Sequence, residues 1–464
     1  MNFTAGTAIG AVLTLALVVL VGIRAGKQVK SAGDFTAGSG MGIPMIAGSL
    51  VGTLVGGAST IGTAQLAFTY GFSAWWFTLG GGIGLLLLAL LFAKPMYLGG
   101  YKTLPQILSK AYGKKLATLS AVLMSLGTFI SIISQLLSGQ ALITSVAPMG
   151  KAAALLLVVA LMAVYVVFGG AWGAGMVGIL KTVLLYLSTV ICGVLSLRLA
   201  GGLPALTATL PREQYWNLFA RGLWKDGGAG ASLLFGVLTT QADLLPVLSA
   251  KDLRTSKRGA ALGGLLTVAV GIAGIFVGMF MRLESPDIDP ASAMPLFVLR
   301  YLPGIPGGMI LATLLIALVG TGAGLALGIA SMLGGDIYRA LRPRAADREL
   351  LLVSRVIIAA VLLLAAWFSF SEAGSLILGW SFLSMGLRGA VAFAPMCFAL
   401  FSRRKLPRPF AAAAMIAGPL LVILGSTFLP AHIDPLFLGM AGALILCFAG
   451  ILFTTQQEGD IPHV

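Results

Sequence analysis

The sequence predicts an all-α polytopic membrane protein of about thirteen transmembrane helices, on three observations. Of its 464 residues, 58% are hydrophobic and 10% charged, with a mean hydropathy of +1.01, a balance outside that of water-soluble domains. Apolar runs of about 20 residues, enough to cross a hydrocarbon core roughly 30 Å thick, recur with short polar gaps. The basic residues behind the net charge of +15 collect in alternate gaps, as membrane topology demands, and are not gathered on one face as a nucleic-acid-binding domain would have them. Backbone groups in lipid need local partners, so the spans are read as helices.

In chain order the spans fall near residues 7–23, 42–70, 72–97, 115–147, 152–169, 175–198, 230–248, 258–281, 305–338, 351–370, 373–402, 410–429 and 436–454. The first is a retained helix, since no basic residue precedes its apolar run and the first is Arg24. Alternate loops carry Arg24, Lys27 and Lys30; Lys102, Lys110, Lys114 and Lys115; Lys251, Arg254, Lys257 and Arg258; Arg339, Arg342, Arg344 and Arg348; and Arg403, Arg404, Lys405 and Arg408. That side is cytoplasmic. The opposite loops include the acidic stretch of Glu284, Asp287 and Asp289. The N-terminus is therefore expected outside and the C-terminus inside, in a bacterial-type inner membrane. The insertion 199–229, with Pro204, Pro211, Trp216 and Trp224, is expected to hold short interfacial helices.

Two spans, five apart, are interrupted. The second carries Gly48, Gly52, Gly56, Gly57 and Gly62 with Ser59, Thr60 and Thr63; the seventh carries Gly236, Thr239, Thr240, Gln241, Asp243 and Pro246. Broken helices at equivalent places in two halves point to an inverted-repeat transporter with its site at mid-membrane. Small residues also serve plain helix packing, but hydroxyls, an amide and an acid beside them favour a lined cavity. Cys192, Cys397 and Cys447 lie in apolar runs without metal-ligand spacing, and His432 and His463 lie in a loop and the tail. No phosphate-binding Gly-x-x-x-x-Gly-Lys-Ser/Thr loop and no catalytic constellation is found, which disfavours a nucleotide-driven pump or an enzyme. No cofactor is expected beyond sodium or a proton as coupling ion. The expected partners are a small-molecule substrate and the lipid bilayer, with no nucleic acid, the chain being a monomer or weak oligomer.

Several short motifs occur in order: Ser31-Ala-Gly-Asp-Phe35, Gly57-Ala-Ser-Thr-Ile-Gly62, Tyr70-Gly71, Tyr101-Lys-Thr-Leu-Pro105, Val167-Phe-Gly-Gly170, Ser249-Ala-Lys-Asp252 and Gly335-Asp-Ile-Tyr338. Together they resemble the sodium/solute symporter family, from about Ser31 to Arg404. The resemblance implies a LeuT-type core of five plus five helices in inverted repeat, with one leading and two trailing helices. The chain then divides into a leading helix (1–30), a first repeat (42–198), an extracellular loop (199–229), a second repeat (230–402), two trailing helices (408–455) and a cytoplasmic tail (456–464).

Carried over by position, the family's sodium site becomes Ala58, Ile61, Ala317, Gly320 and Thr321. Gly320 stands where the family has Ser, so one hydroxyl replaces two, and a hard cation wants a full oxygen set. Where relatives carry Thr-Asp-x-x-Gln this chain has Val177, Gly178 and Lys181. Lys181 either snorkels to the interface or places its amine near the ion site. In the wider superfamily a lysine amine takes the ion's place in some relatives, and here that implies sodium-independent or proton-coupled transport.

For the solute, the resemblance points to Thr60, Thr63 and Gln65 on the second span, and to Trp75 and Trp76 on the third. It adds Ser131, Ser134 and Gln135 on the fourth, Thr240 and Gln241 on the seventh, and Trp380, Ser381 and Ser384 on the eleventh. Their mixed chemistry suits a small polar organic solute, although a hydroxyl on a membrane helix often bonds its own backbone and the tryptophans suit an interfacial belt. Two further charges lie at membrane depth: Asp243, eight residues before Lys251, and Arg388, fifteen residues or about 22 Å of helix before Arg403. Such charges face a cavity or a partner. Either the two form a structural ion pair, or the Arg388 fork meets a carboxylate substrate. The expectation is a secondary transporter of a carboxylate or amino acid, with an ordinary sodium symporter or a non-transporting sensor on the same fold as alternatives.

Overall fold

The structure, a computed structural model, describes residues 4–26, 40–101, 103–338, 342, 347–371 and 375–453, without the side chains of 21–26, 166–177, 335–337, 347–348 and 351. The Ser31–Phe35 motif, Lys27, Lys30, Lys102, Arg339, Arg344, His463 and the tail lie outside the described residues, and the side chains of Arg24, Val177 and Arg348 outside the described side chains. Among the described residues the protein is all-helical, with one isolated bridge between Met41 and Ala250.

The helices are α1 (Ala5–Gly26), α2 (Ile43–Leu54), α3 (Thr63–Tyr70), α4 (Trp76–Leu87), α5 (Ala93–Leu98), α6 (Leu104–Tyr112), α7 (Lys114–Val146) and α8 (Lys151–Leu199). The loop helices α9 (Leu203–Thr209) and α10 (Arg212–Tyr215) follow, then α11 (Leu223–Thr239), α12 (Gln241–Leu248), α13 (Leu253–Glu284), α14 (Ala293–Tyr301) and α15 (Ile305–Ala330). The last are α16 (Asp347–Ser371), α17 (Ile377–Phe401), α18 (Arg408–Phe428) and α19 (Leu436–Leu452).

Local chemistry sets several of these ends. Thr103 and Asp252 cap α6 and α13 by accepting from the N–H groups of Gln106 and Thr255 at 3.3 and 2.7 Å. Those bonds hold the Asp252 carboxyl below the usual carboxylate range. Gly71, at φ 53°, turns the chain from α3 into α4, a conformation that a side chain resists.

Both interrupted spans are broken, each at one extended residue. Val55 (φ −92°, ψ 94°) ends α2, and a π turn over Ala58–Gly62 leads into α3. Thr240 (φ −81°, ψ 121°) separates α11 from α12, which are bent by 51°. The glycine clusters therefore mark true breaks, and each break leaves unpaired carbonyls before it and unpaired N–H groups after it.

By length and apolarity, eight stretches of the described residues suffice to cross a membrane, or nine with the bent α11–α12 pair, against thirteen expected from the sequence. Length alone joins Ala58–Leu98 across the bend at Gly71 and passes over the shorter apolar helices Ile43–Leu54 and Leu436–Leu452. The fifth and sixth expected spans fall within the single 49-residue element α8. Two of its side chains reach neighbouring residues of α15: the Tyr165 hydroxyl stands beside Gly320, and Lys181 bonds Thr321.

α13 packs against α2, α3 and α4, while α17 lies between α7 and α11 and carries the paired helices α18 and α19 on its other side. Glycine permits the closest of these approaches. A Cβ on Gly278 would press into the backbone of α3 at Ala64 and Phe68. Gly278→Ala is expected to lower stability by about 1–3 kcal/mol, the usual penalty for overpacking. Thermal unfolding in detergent would read this as a lower Tm.

Candidate functional site

The two breaks come together with α7, α8, α15 and α17 in the middle of the bundle. α8 brings in Lys181, which is 6% exposed. Its Nζ donates to the Gly52 carbonyl at 2.8 Å and to Thr321 Oγ1 at 2.8 Å. The neighbouring Thr182 donates to the Gly48 carbonyl at 3.1 Å. Lys181 therefore does not snorkel; it is held between the end of α2 and the middle of α15.

The carbonyl that the amine bonds is not among the residues carried over for the ion site. The amine meets Gly52, six residues before Ala58, whereas Ala58 and Ile61 lie buried in the π turn beyond the break and take no bond from it. The reason lies in helix-end chemistry: α2 stops at Leu54, so its last carbonyls lack intrahelical partners. The Val51 carbonyl is taken by the Val55 N–H at 2.7 Å, and that of Gly52 by Lys181. On α15, Thr321 accepts from Lys181, Ala317 is fully buried, and a Cβ on Gly320 would meet, among the described residues, the Tyr165 hydroxyl end at ordinary contact distance. A hydroxyl at position 320 would have room. Gly56 lets the break approach closely, since a Cβ there would meet Thr321 Oγ1 and Gln135 Oε1.

Arg388, on α17 and 2% exposed, fills the space between α7, α11 and its own helix. Its Nη1 donates to Thr240 Oγ1 at 2.9 Å, and its Nη2 donates to Ser131 Oγ and Ser384 Oγ, each at 3.1 Å. Asp243 accepts from Thr53 Oγ1 at 2.9 Å through Oδ1, and its Oδ2 is buried without a hydrogen-bond partner. The two charges feel each other's field but form no direct ion pair. The structural pair considered from sequence is thus not formed here. The buried pair that does form is Arg221–Asp226, at 2.6 Å near the start of α11, with Ser73 donating to the same carboxylate at 2.7 Å.

The other expected solute residues divide by what they bond. Ser131, Ser384 and Thr240 converge on Arg388, and Ser134 accepts from Ser381 at 2.9 Å beside them. Thr63 Oγ1 is buried with no partner. Thr60 bonds back to the Gly56 carbonyl. The three amides serve backbone: Gln135 Oε1 accepts from Gly57, Gln65 Oε1 from Ile377 and Gln241 Oε1 from Leu104. The Trp75, Trp76 and Trp380 indoles donate to Val268, Leu218 and Ser375. Gly52, Thr53 and Thr182 were not anticipated; the signal that marks the first two is their place in the last turn before the break, and Thr182 is marked only as the chain neighbour of Lys181.

The sequence model of the Sodium:solute symporter family matches residues 35–418, most of the chain. The chain belongs to the sodium:solute symporter family. Relatives within reach include the Sodium/myo-inositol cotransporter 2 of Mus musculus, 26% identical over 402 residues, covering 76% of this chain and 59% of that one. The Sodium/glucose cotransporter 4 of Danio rerio is 26% identical over 392 residues, covering 75% and 59%. The Uncharacterized symporter YwcA of Bacillus subtilis (strain 168) is 31% identical over 198 residues, covering 42% and 38%. The chain thus spans about three fifths of the length of the first two. A substrate-bound, outward-open structure of a Na+-coupled sialic acid symporter superposes with a TM-score of 0.78 over 98% of this chain and 99% of that one, at 16% identity. The sodium:solute symporter fold, with its LeuT-type core, is therefore the fold of this chain.

Proposed function

We propose that this chain is a secondary transporter that carries a small organic solute, a carboxylate or an amino acid, by alternating access, with the Lys181 amine taking the place of the sodium ion. It would work in a bacterial-type inner membrane with the N-terminus outside, the C-terminus inside and the thirteen crossings and repeat boundaries described from the sequence. The observation that carries this reading is the position of Nζ, 2.8 Å from both the Gly52 carbonyl and Thr321 Oγ1. A carbonyl at the end of one broken helix and a hydroxyl facing it are ligands for a hard cation, and here an ammonium uses both. A sodium ion about 4 Å from a fixed ammonium would be opposed by roughly 4 kcal/mol at an effective dielectric of about 20, near a thousandfold in occupancy. Gly320 removes a further oxygen from any such ion.

The names of the relatives support a second reading, in which Lys181 withdraws and sodium couples transport, with Thr321 and carbonyls as ligands. Solute uptake into proteoliposomes separates the two. The preferred reading expects equal initial rates in sodium and choline media, with stimulation by an inward proton gradient. Uptake that requires sodium at constant pH would favour the second.

A further inference from the structure

Charge accounting at the breaks deepens this reading, on which it rests. Among the described residues the buried charged side chains are Lys181, Asp226, Asp243, Arg388 and Asp434. Asp226 is neutralised by Arg221 at 2.6 Å, and Asp434 lies in the connection between α18 and α19, on an outer cavity of about 220 Å³ shared with Arg221 and Lys225. What remains around the breaks is two cations, Lys181 and Arg388, and one anion, Asp243. With every group charged, the closed core carries one uncompensated positive charge, which a low-dielectric interior penalises heavily.

Two occupancies remove it. In one, a monoanion lies on Arg388, whose present partners Ser131, Ser384 and Thr240 are hydroxyls able to turn toward an incoming carboxylate. In the other the site is empty and Lys181 has given up its proton, leaving Arg388 and Asp243 in balance. A zwitterion or an uncharged solute neutralises neither the loaded core nor its charge difference from the empty one while Lys181 is protonated. Lys181 bonds the Gly52 carbonyl of α2 and the Thr321 hydroxyl of α15, and its chain neighbours Leu180 and Leu184 pack on Val18 of α1 and Ile316 of α15. α13 presents the Leu266 carbonyl, taken by Tyr186. Among the described residues, titratable groups on the elements around it are Tyr165, beside Gly320, Tyr186, on its own helix, and Asp243, bonded to Thr53 next to Gly52. Among the described residues no carboxylate pairs with the amine.

We propose that the solute is a monocarboxylate anchored by Arg388 and that it crosses together with one proton on Lys181, so that no net charge moves in a cycle. The proton enters as the loaded core closes and leaves Nζ to the cytoplasm with the solute, and the empty carrier returns neutral.

The test uses the purified full chain in proteoliposomes, with acetate, lactate and pyruvate as monoanions, alanine and proline as zwitterions, and myo-inositol as an uncharged solute. Uptake is measured under an imposed proton gradient and, separately, under a potassium diffusion potential. The expected result is uptake of at least one monocarboxylate, driven by the proton gradient and indifferent to potential, with competition by other monocarboxylates and none by alanine. One net charge per cycle would instead change the accumulation ratio about 50-fold per 100 mV. Such a change, or uptake confined to zwitterions or inositol, or no thermal stabilisation by any monocarboxylate, would overturn the proposal. A sodium requirement would instead overturn the underlying reading, so the two failures are distinguishable. Arg388→Lys, which keeps the charge but loses the fork, is expected to weaken monocarboxylate stabilisation while the protein remains folded.

Discussion

Lys181→Ala is expected to abolish the response of uptake to a proton gradient and to cut transport on the order of a hundredfold or more. The substitution removes two charge-assisted hydrogen bonds, each worth about 1.5–3 kcal/mol, which link α2 to α8 and α15. Their loss leaves the Gly52 carbonyl and Thr321 Oγ1 buried without that donor and shifts the population away from the state in which α2 is held in place. Lys181→Met, of similar length, separates packing from charge and is expected to fail in the same way. A complementary gain is expected from Lys181→Ala combined with Gly320→Ser. Position 320 has room for the side chain, and the pair of changes supplies a space and a second hydroxyl where an ammonium stood. The double variant is expected to acquire sodium stimulation that the wild type lacks, read as uptake in sodium against choline medium.

Arg388→Met is expected to lower solute affinity about a hundredfold or more while leaving Tm unchanged or higher. The hydroxyls that Arg388 leaves behind keep other bonds: Ser131 with Ser384 at 2.6 Å, Ser384 with the Gly127 carbonyl at 2.6 Å and Thr240 with the Gly236 carbonyl at 2.7 Å. Replacing a buried charge that lacks a direct counter-ion by an apolar side chain of similar size is often neutral or stabilising. A residue that costs stability yet binds the solute would show this split between thermal stability and affinity. Were Arg388 a strut of the fold, Tm would fall with the affinity.

Sequence chemistry located the breaks because glycines, hydroxyls and Pro246 cluster where the helical ladder stops, at Val55 and Thr240. It also located Lys181 and Arg388, since a charge at membrane depth is anomalous wherever it falls. The register of the ion site was less accessible. The glycine-rich run from Gly48 to Gly62 offers several alignments of equal quality, and only the position of the break shows which carbonyls are released. The Gly52 carbonyl is among those released, and it meets the amine.

The amides have a use that the sequence does not show. Gln65, Gln135 and Gln241, solute candidates by the resemblance, each accept from an N–H at the start of a helix or just past a break: Ile377, Gly57 and Leu104 respectively. Helix starts inside a membrane have no water to satisfy them, so long amides do so. The three indoles find acceptors of their own, the Val268 and Leu218 carbonyls and the Ser375 hydroxyl. Polar residues left after this accounting, Ser131, Ser384 and Thr240 with Arg388, form a smaller and more coherent candidate for the solute.

Binding of radioactive sodium to the purified wild-type protein tests the central claim most directly, because it asks whether the space between Gly52 and Thr321 admits the ion at all. The amine at that place predicts no saturable sodium binding in the wild type and its appearance in Lys181→Ala with Gly320→Ser. Saturable, stoichiometric sodium binding by the wild type, with Lys181 present, would contradict it.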